Sequence, residues 1–314
     1  MPTLKEIKGR IGSVKSTLKI TSAMKLVSSA KLRKAQVAIE AMRPYEEALQ
    51  GILATLEIPG QAGNDVWGAG NDVWGAMNAV RDGWDSEEPV MPDSDRASSD
   101  RASRPTALVA MASNSSLCGG FNANIIAKVR SERKPGDVIF SLGRKMADAM
   151  RRDGYPTPED LNDLVEHPAY GPAAALVEKL AHEVEDGKYS RVLLVYTHFV
   201  STARQVPVAE VLLGGDTPTD VFIPSEASVS PDDVLIEPGK KELLASLRPK
   251  TLKLKLYAAL LDSVAAEHAA RTVAMQTATD NAENLLSELT LQYNKGRQQK
   301  ITSEILDLAG GQTE

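Results

Sequence analysis

The sequence of 314 residues holds a single cysteine, Cys118. No internal disulfide can form, which fits a reducing compartment and leaves packing to hold the fold. Aromatic residues make up only 4%, so helices packed with Leu, Ala, Val and Met are favoured. The four histidines, His167, His182, His198 and His268, show no metal-ligand spacing. "HEVED" from His182 is not H-E-x-x-H, because Asp186 stands where the second histidine belongs. No apolar run approaches the roughly 20 residues that cross a bilayer. The opening "MPTLKEIKGR" has no apolar signal core, so secretion is not expected and the sequon Asn114-Ser115-Ser116 carries no weight.

Catalytic signatures are missing too. "ASNSSLCGGFN" follows an apolar run and opens a helical one, where a phosphate-binding turn would sit. Its only glycines are Gly119 and Gly120, so neither G-x-G-x-x-G nor G-x-x-x-x-G-K-[ST] is present. No acidic residue stands at Gly143, where a ribose would need one. Cys118 has no histidine at a recognised spacing and reads as a small buried residue. No paired carboxylates in a tuned setting can be identified. No enzyme active site, cofactor or metal is expected.

What is present is a strong asymmetry of charge behind a net charge of −6. Residues 1–43 hold ten Lys/Arg against Glu6 and Glu40, a net of +8. Residues 57–100 hold ten Asp/Glu against Arg81 and Arg96, a net of −8. The basic end is therefore a local surface with its own role. Within it, Lys19, Lys25, Lys31, Arg33 and Lys34 fall in a helical stretch without an acid. Three readings stand: a face for an acidic protein partner, a solvated face, or an electrostatic nucleic-acid site. The last is weakened because no aromatics are interleaved for stacking.

Both ends of the chain carry narrow apolar seams. Thr3 and Glu6 form a T-x-x-E capping box. Leu4, Ile7, Ile11, Val14 and Leu18 then alternate by three and four. The phase slips near Ile20, where Met24 and Val27 take over, and returns at Ala38, Met42, Tyr45, Leu49, Ile52 and Leu56. Pro44 predicts a kink or local break. After Pro249 the same alternation runs from Leu254 through Tyr257, Leu261, Val264, His268 and Arg271 to Met275, Ala278, Ala282, Leu285 and Leu289. It passes a lone Gly296 and stops at Gly310-Gly311. Helices of about 80 and 85 Å are expected, paired antiparallel as a coiled coil. His268 and Arg271 fix its register, meet an outside partner, or drift to its edge.

Between the seams, 106–114, 137–143 and 191–201 read as buried strands, and 121–133 and 171–187 as helices. The alternation predicts a Rossmann-like doubly wound α/β domain. "QVPVAEVLL" at 205–213 adds an edge strand, since Pro207 suits an edge. The predicted plan is a coiled-coil helix over 1–57, an acidic inserted loop over 58–104, the α/β domain over 105–240 and a second coiled-coil helix over 241–314. In the insertion "GNDVWGA" occurs twice in tandem, "SDRAS" twice, and all three tryptophans (Trp67, Trp74, Trp84) are there. Slipped repeats in a tolerant loop are the plainer reading, a docking loop the other.

Three blocks of this sequence resemble one family. "IKGRIGSVKSTLKITSAMKLVSSAKLRKAQ" at 7–36 is similar to the N-terminal helix of the γ subunits of F-type ATP synthases. "SLCGGFNANI" at 116–125 is similar to their central motif, and 265–311 to their C-terminal signature. Departures are Asn114-Ser115-Ser116, the glycines Gly9, Gly12 and Gly296, and the enlarged 58–104. The resemblance implies a noncatalytic rotor, with the coiled coil inside a ring of three α and three β subunits. The α/β head would sit on the c-ring with ε beside it. No nucleic acid is implied, and contact with the membrane comes only through the complex. The absent transit peptide and regulatory cysteine pair point to the cytoplasmic face of a bacterial inner membrane. By residue-wise carry-over, Met24, Lys25, Arg33 and Arg271 lie in the region of contact with the ring. Arg297, Gln298 and Thr302 form a polar contact surface further along. Ile301, Ile305 and Leu308 form an apolar tip that turns in a collar.

Overall fold

The computed structural model describes residues 3–56, 104–214 and 239–310. The predicted insertion therefore lies outside the described residues, apart from its last residue, Arg104. The first element is helix α1, Leu4–Leu56. Its start is the expected capping box: Thr3 N–H donates to Glu6 Oε2 at 2.9 Å, and Glu6 N–H donates to Thr3 Oγ1 at 3.3 Å. The helix runs through Pro44 without a break. Pro44 and Glu40, whose carbonyl loses its helical donor, are both exposed, so that carbonyl is not left in an apolar interior and the interruption is tolerated.

The last element is helix α6, Lys240–Gly310, 71 residues and about 105 Å long. It carries Pro249 inside its third turn, so the helix begins well before the apolar alternation that starts at Leu254. The two long helices pack antiparallel. A methyl group at Gly296 would come 3.1 Å from Leu4 Cδ2. Thr279 meets Thr21, Lys31 acts on Glu267 and His268, and Lys255 acts on Glu46. Partners in α6 fall steadily as positions in α1 rise, so one register holds along the whole pair.

That register corrects the expected phase slip. Thr21 and Ser28 are buried and Lys25 half-buried, so the seam runs on through 18, 21, 25, 28, 32 and 35 without interruption. Hydroxyl side chains, not apolar ones, fill two of its positions. Met24 and Val27, expected to take over the seam, are instead 38% and 58% exposed. Tyr45 and Ile52 likewise face outward. In α6 the seam uses Thr279, which is buried, while Leu285 is 45% exposed. Apolarity misled the periodicity at each of these places, because small hydroxyls pack a narrow seam as well as a methyl does.

Between α1 and α6 lie β1 (Ala107–Met111), α2 (Phe121–Glu132), β2 (Val138–Leu142), α3 (Arg144–Arg152), α4 (Asn162–Glu166), α5 (Tyr170–Glu185), β3 (Val192–Phe199) and β4 (Gln205–Leu213). The sheet order is β2-β1-β3-β4. β1 runs parallel to β2 and β3, and β4 lies antiparallel on the edge beside β3. The edge position suits Pro207, as expected. α3 and α4 had no counterpart in the predicted elements. α3 is nonetheless amphipathic, with Met146, Ala147, Ala149 and Met150 buried. At its start Gly143 has φ +100°, and a side chain there would meet the Ala112 carbonyl oxygen at 2.1 Å, so glycine is obligatory.

β1, β2 and the first half of β3 are buried on both faces, while the edge strand β4 is mostly half-buried. Leu108, Ala110, Ile139, Leu193 and Val195 face α2 and α3. Val109, Met111, Phe140, Val192 and Leu194 face the other way. There they share one core with Leu176 and Leu180 of α5, Leu32 and Ala35 of α1, and Leu256, Leu260 and Val264 of α6. The paired helices thus replace part of a helical layer. Each fully buried Leu or Phe contributes about 1.5–3 kcal/mol, so head and shaft are held by a common core.

Candidate functional site: the shaft and its junction with the head

The central motif does not form an open phosphate cradle. After β1 the chain turns through Leu117 (φ +68°) and Gly119 (φ +59°) before entering α2. The turn lies on α6: a side chain at Gly119 would meet Ala274 Cβ at 3.7 Å. Cys118 and Phe121 are buried together with Ala266 of α6. Asn122 Nδ2 donates to Ser113 Oγ at 2.8 Å and to Cys118 Sγ at 3.1 Å. The groove left between this turn, β4 and α6 is about 210 Å³, small for a nucleotide. The residues that suggested a phosphate site are spent on fastening head to shaft.

Arg271 is the main fastener. Its guanidinium donates to the Ser116 carbonyl, to Ser115 Oγ at 2.9 Å and to Glu267 Oε1 at 2.5 Å. Its side chain is only 12% exposed, so the drift into solvent does not occur. Glu267 is buried, and burial raises its pKa against the opposing pull of Arg271 and Lys31. His268 lies beside them, its pKa lowered to about 4 by burial first and then by Lys31 and Arg271. His268 Nδ1 has no hydrogen-bond partner among the described residues. The sequence analysis singled out Arg271 but neither its i, i+4 partner Glu267 nor its link to Ser115 and Ser116, more than 150 residues away. A second fastener, unforeseen, joins β3 to α6: Asp262 accepts from Phe199 N–H at 2.9 Å and pairs with His198 Nδ1 at 2.6 Å.

The remaining sequence-predicted residues are spread along the shaft. Met24 is exposed, Lys25 half-buried in a seam position and Arg33 exposed. Lys25, Arg33 and Lys34 make no ion pair among the described residues. Exposed apolar side chains accompany them: Ile20 at 56%, Leu26 at 70% and Val27 at 58%. The sequence had assigned Val27 to the seam and did not single out Leu26.

Arg297, Gln298, Ile301, Thr302 and Ile305 are all exposed. They follow Gly296, which is the partner of Leu4 at the start of α1. Among the described residues, 297–310 therefore extend beyond the paired region as a single helix of about 20 Å. Thr302 Oγ1 donates back to the Gln298 carbonyl at 3.0 Å, leaving the Gln298 amide outward. Leu306, 65% exposed, joins the expected apolar tip. Leu308 lies within α6, but its side chain is outside the described residues. No helix among the described residues is long and apolar enough to cross a membrane.

Comparison with known proteins gives a consistent picture. The family described as ATP synthase matches residues 3–313. The ATP synthase gamma chain of Phocaeicola vulgatus is 41% identical over 318 residues, covering 99% of each chain. That of Flavobacterium johnsoniae is 37% identical over 325 residues, covering 99% of this chain and 98% of the relative. Among solved structures, a chain of the Euglena gracilis mitochondrial ATP synthase (OSCP/F1/c-ring, rotational state 3) superposes with a TM-score of 0.62. It is 20% identical and covers 99% of this chain and 93% of that one, a likeness that concerns the fold. Sequence and architecture agree over nearly the whole length, and the chain belongs to the ATP synthase gamma chain family.

Proposed function

We propose that this chain is the turning axle of an F-type ATP synthase, passing ion-driven rotation of a c-ring to the nucleotide sites of an α/β ring. As a gamma chain it is a noncatalytic subunit. The observation that carries the reading is the shaft itself: two helices in one continuous register, fastened to an α/β head, with a single helix projecting beyond. An axle must resist twisting, which a two-helix seam does better than one helix. It must also slip against its bearing. Exposed ion pairs are individually weak, at about 0–1 kcal/mol. Long cations such as Lys25 and Arg33 therefore exchange acidic partners with low barriers as the shaft turns.

The head rests on the c-ring with ε beside it, and the complex brings the chain to the cytoplasmic face of a bacterial inner membrane. Met24, Lys25 and Arg33 meet the α/β ring along the shaft. Arg297, Gln298 and Thr302 meet it further along, and Ile301, Ile305 and Leu308 turn in its apolar collar. Arg271 enters this surface through the Ser115–Ser116 turn that it holds, since its own donors are engaged within the chain.

The test is reconstitution. The isolated chain shows no ATP hydrolysis; mixed with α and β subunits and the membrane sector it restores nucleotide turnover and ATP-driven proton pumping. Lys25→Glu and Arg33→Glu lower pumping more than folding, and Gln298→Ala lowers turnover. Pumping unchanged in all three variants would remove the assigned contact roles, and hydrolysis by the chain alone would overturn the reading.

A further inference from the structure

The lower half of α1 carries two apolar faces, and the paired helices use only one. Leu32, Ala35, Leu49 and Leu53 are buried inward. On the outer side Val37, Ala41, Pro44, Tyr45, Ala48 and Ile52 are all exposed, with Val37 at 57%, Tyr45 at 55% and Ile52 at 44%. At 3.6 residues per turn these six fall within an arc of about 100° and a length of about 22 Å. Each member has another seven residues away: Val37 with Pro44, Ala41 with Ala48, Tyr45 with Ile52. Exposed Lys34 stands at its upper end, in the same sector. The Arg43–Glu47 ion pair, at 3.1 Å, borders one side. A continuous apolar face of this kind marks an interaction site.

We propose that this outer face is a docking surface for the chain's own acidic, tryptophan-bearing segment, residues 57–103. Four observations single out that occupant. The segment follows directly on α1, five residues after Ile52, and its 47 residues have ample reach for a face about 22 Å long. A tether so short holds it at an effective concentration of about a millimolar. Its charge is complementary: ten Asp/Glu against Arg81, Arg96 and Arg101, facing Lys34, which makes no ion pair among the described residues. Its tandem "GNDVWGA" repeats bring two Val-Trp pairs, Val66-Trp67 and Val73-Trp74, large apolar side chains of the kind an apolar face takes up. A second copy of the chain fits less well. Antiparallel pairing of two such faces would offer Lys34 no acidic stretch to meet.

All three tryptophans of the chain lie in this segment, so the intact protein reports on it directly. In the full chain, tryptophan emission should be blue-shifted from that of the urea-unfolded protein and protected from acrylamide. Val37→Glu, Tyr45→Glu and Ile52→Glu, all at exposed positions, should shift the emission to the red and raise quenching severalfold, with the helical circular dichroism unchanged. Lys34→Glu should act in the same direction, and Leu291→Glu, on the exposed shaft away from this face, should change nothing. Solvent-like emission in the unmodified chain would overturn the proposal. So would protected tryptophans that ignore the three glutamate variants, and so would protection lost on dilution, which would place a second copy on the face.

Discussion

Thr279 Oγ1 lies 3.0 Å from Thr21 Oγ1 across the buried seam of the two long helices. The Thr279 proton has a second acceptor, the Met275 carbonyl at 2.8 Å, and Thr21 donates to the Leu18 carbonyl at 3.1 Å. Thr21→Val removes an acceptor and Thr279→Val a donor, and each should cost about 1 kcal/mol. The double variant removes both and replaces them by methyls of the same shape. It should cost less than the two singles together, and urea unfolding of all four proteins measures the difference. Strict additivity would show that the hydroxyls act only on their own helices.

Arg271 neutralises a buried carboxylate as well as holding the Ser115–Ser116 turn. Arg271→Ala leaves Glu267 uncompensated and should cost about 3 kcal/mol or more. Adding Glu267→Gln should recover a large part, because the uncompensated charge is gone. The motif turn, having lost its anchor, should exchange amide hydrogens faster in both variants. If Glu267→Gln restores nothing, the loss comes from the turn alone.

The pH dependence of stability has two opposed sources at this junction. His268 is held at about 4 against an ordinary value of 6.5. Between pH 6.5 and about 4 the unfolded chain binds a proton that the folded chain refuses, so stability falls as the pH drops through that window. Solvent screening of the partly exposed ring limits this to about 1 kcal/mol. Glu267 works the other way. Burial raises its pKa above 4.5, so the folded carboxyl takes its proton first and acidification relieves part of its cost. His268→Gln should flatten the acid loss, read as the urea midpoint between pH 7 and 4.5, and Glu267→Gln should steepen it. An identical acid loss in His268→Gln would remove the imidazole as its source.

Much of this molecule was legible in its sequence, for identifiable reasons. The shaft announced itself because a three-four alternation sustained over dozens of residues has few other solutions. β4 was placed with its observed ends because Gln205–Leu213 is β-prone and Pro207 restricts it to an edge. The seam between Leu18 and Leu32 was misread because its buried members Thr21 and Ser28 are polar, whereas the apolar Met24 and Val27 face outward. α3 escaped because its amphipathic pattern, Met146, Ala147, Ala149 and Met150, spans barely two turns, too short a window to be read as a helix. The fasteners escaped for a different reason. Arg271 to Ser116 and Asp262 to Phe199 join residues that only the fold brings together.

Gly296 ends the paired part of the shaft and offers a last, opposite kind of test. Glycine inside a helix costs about 1 kcal/mol relative to alanine, and Gly296 lies inside α6. A methyl group added there would come 3.1 Å from Leu4 Cδ2, closer than ordinary contact. The clashing atom is the end of a flexible side chain in the first turn of α1, and Leu4 is only half-buried, so it can turn aside cheaply. The helical gain outweighs that adjustment. Gly296→Ala should therefore raise stability by about 0.5 kcal/mol, seen as a higher urea midpoint and slower proteolysis between residues 290 and 305. A lower midpoint would mean that the helices meet here too tightly for Leu4 to move, and that glycine is required for their closest approach.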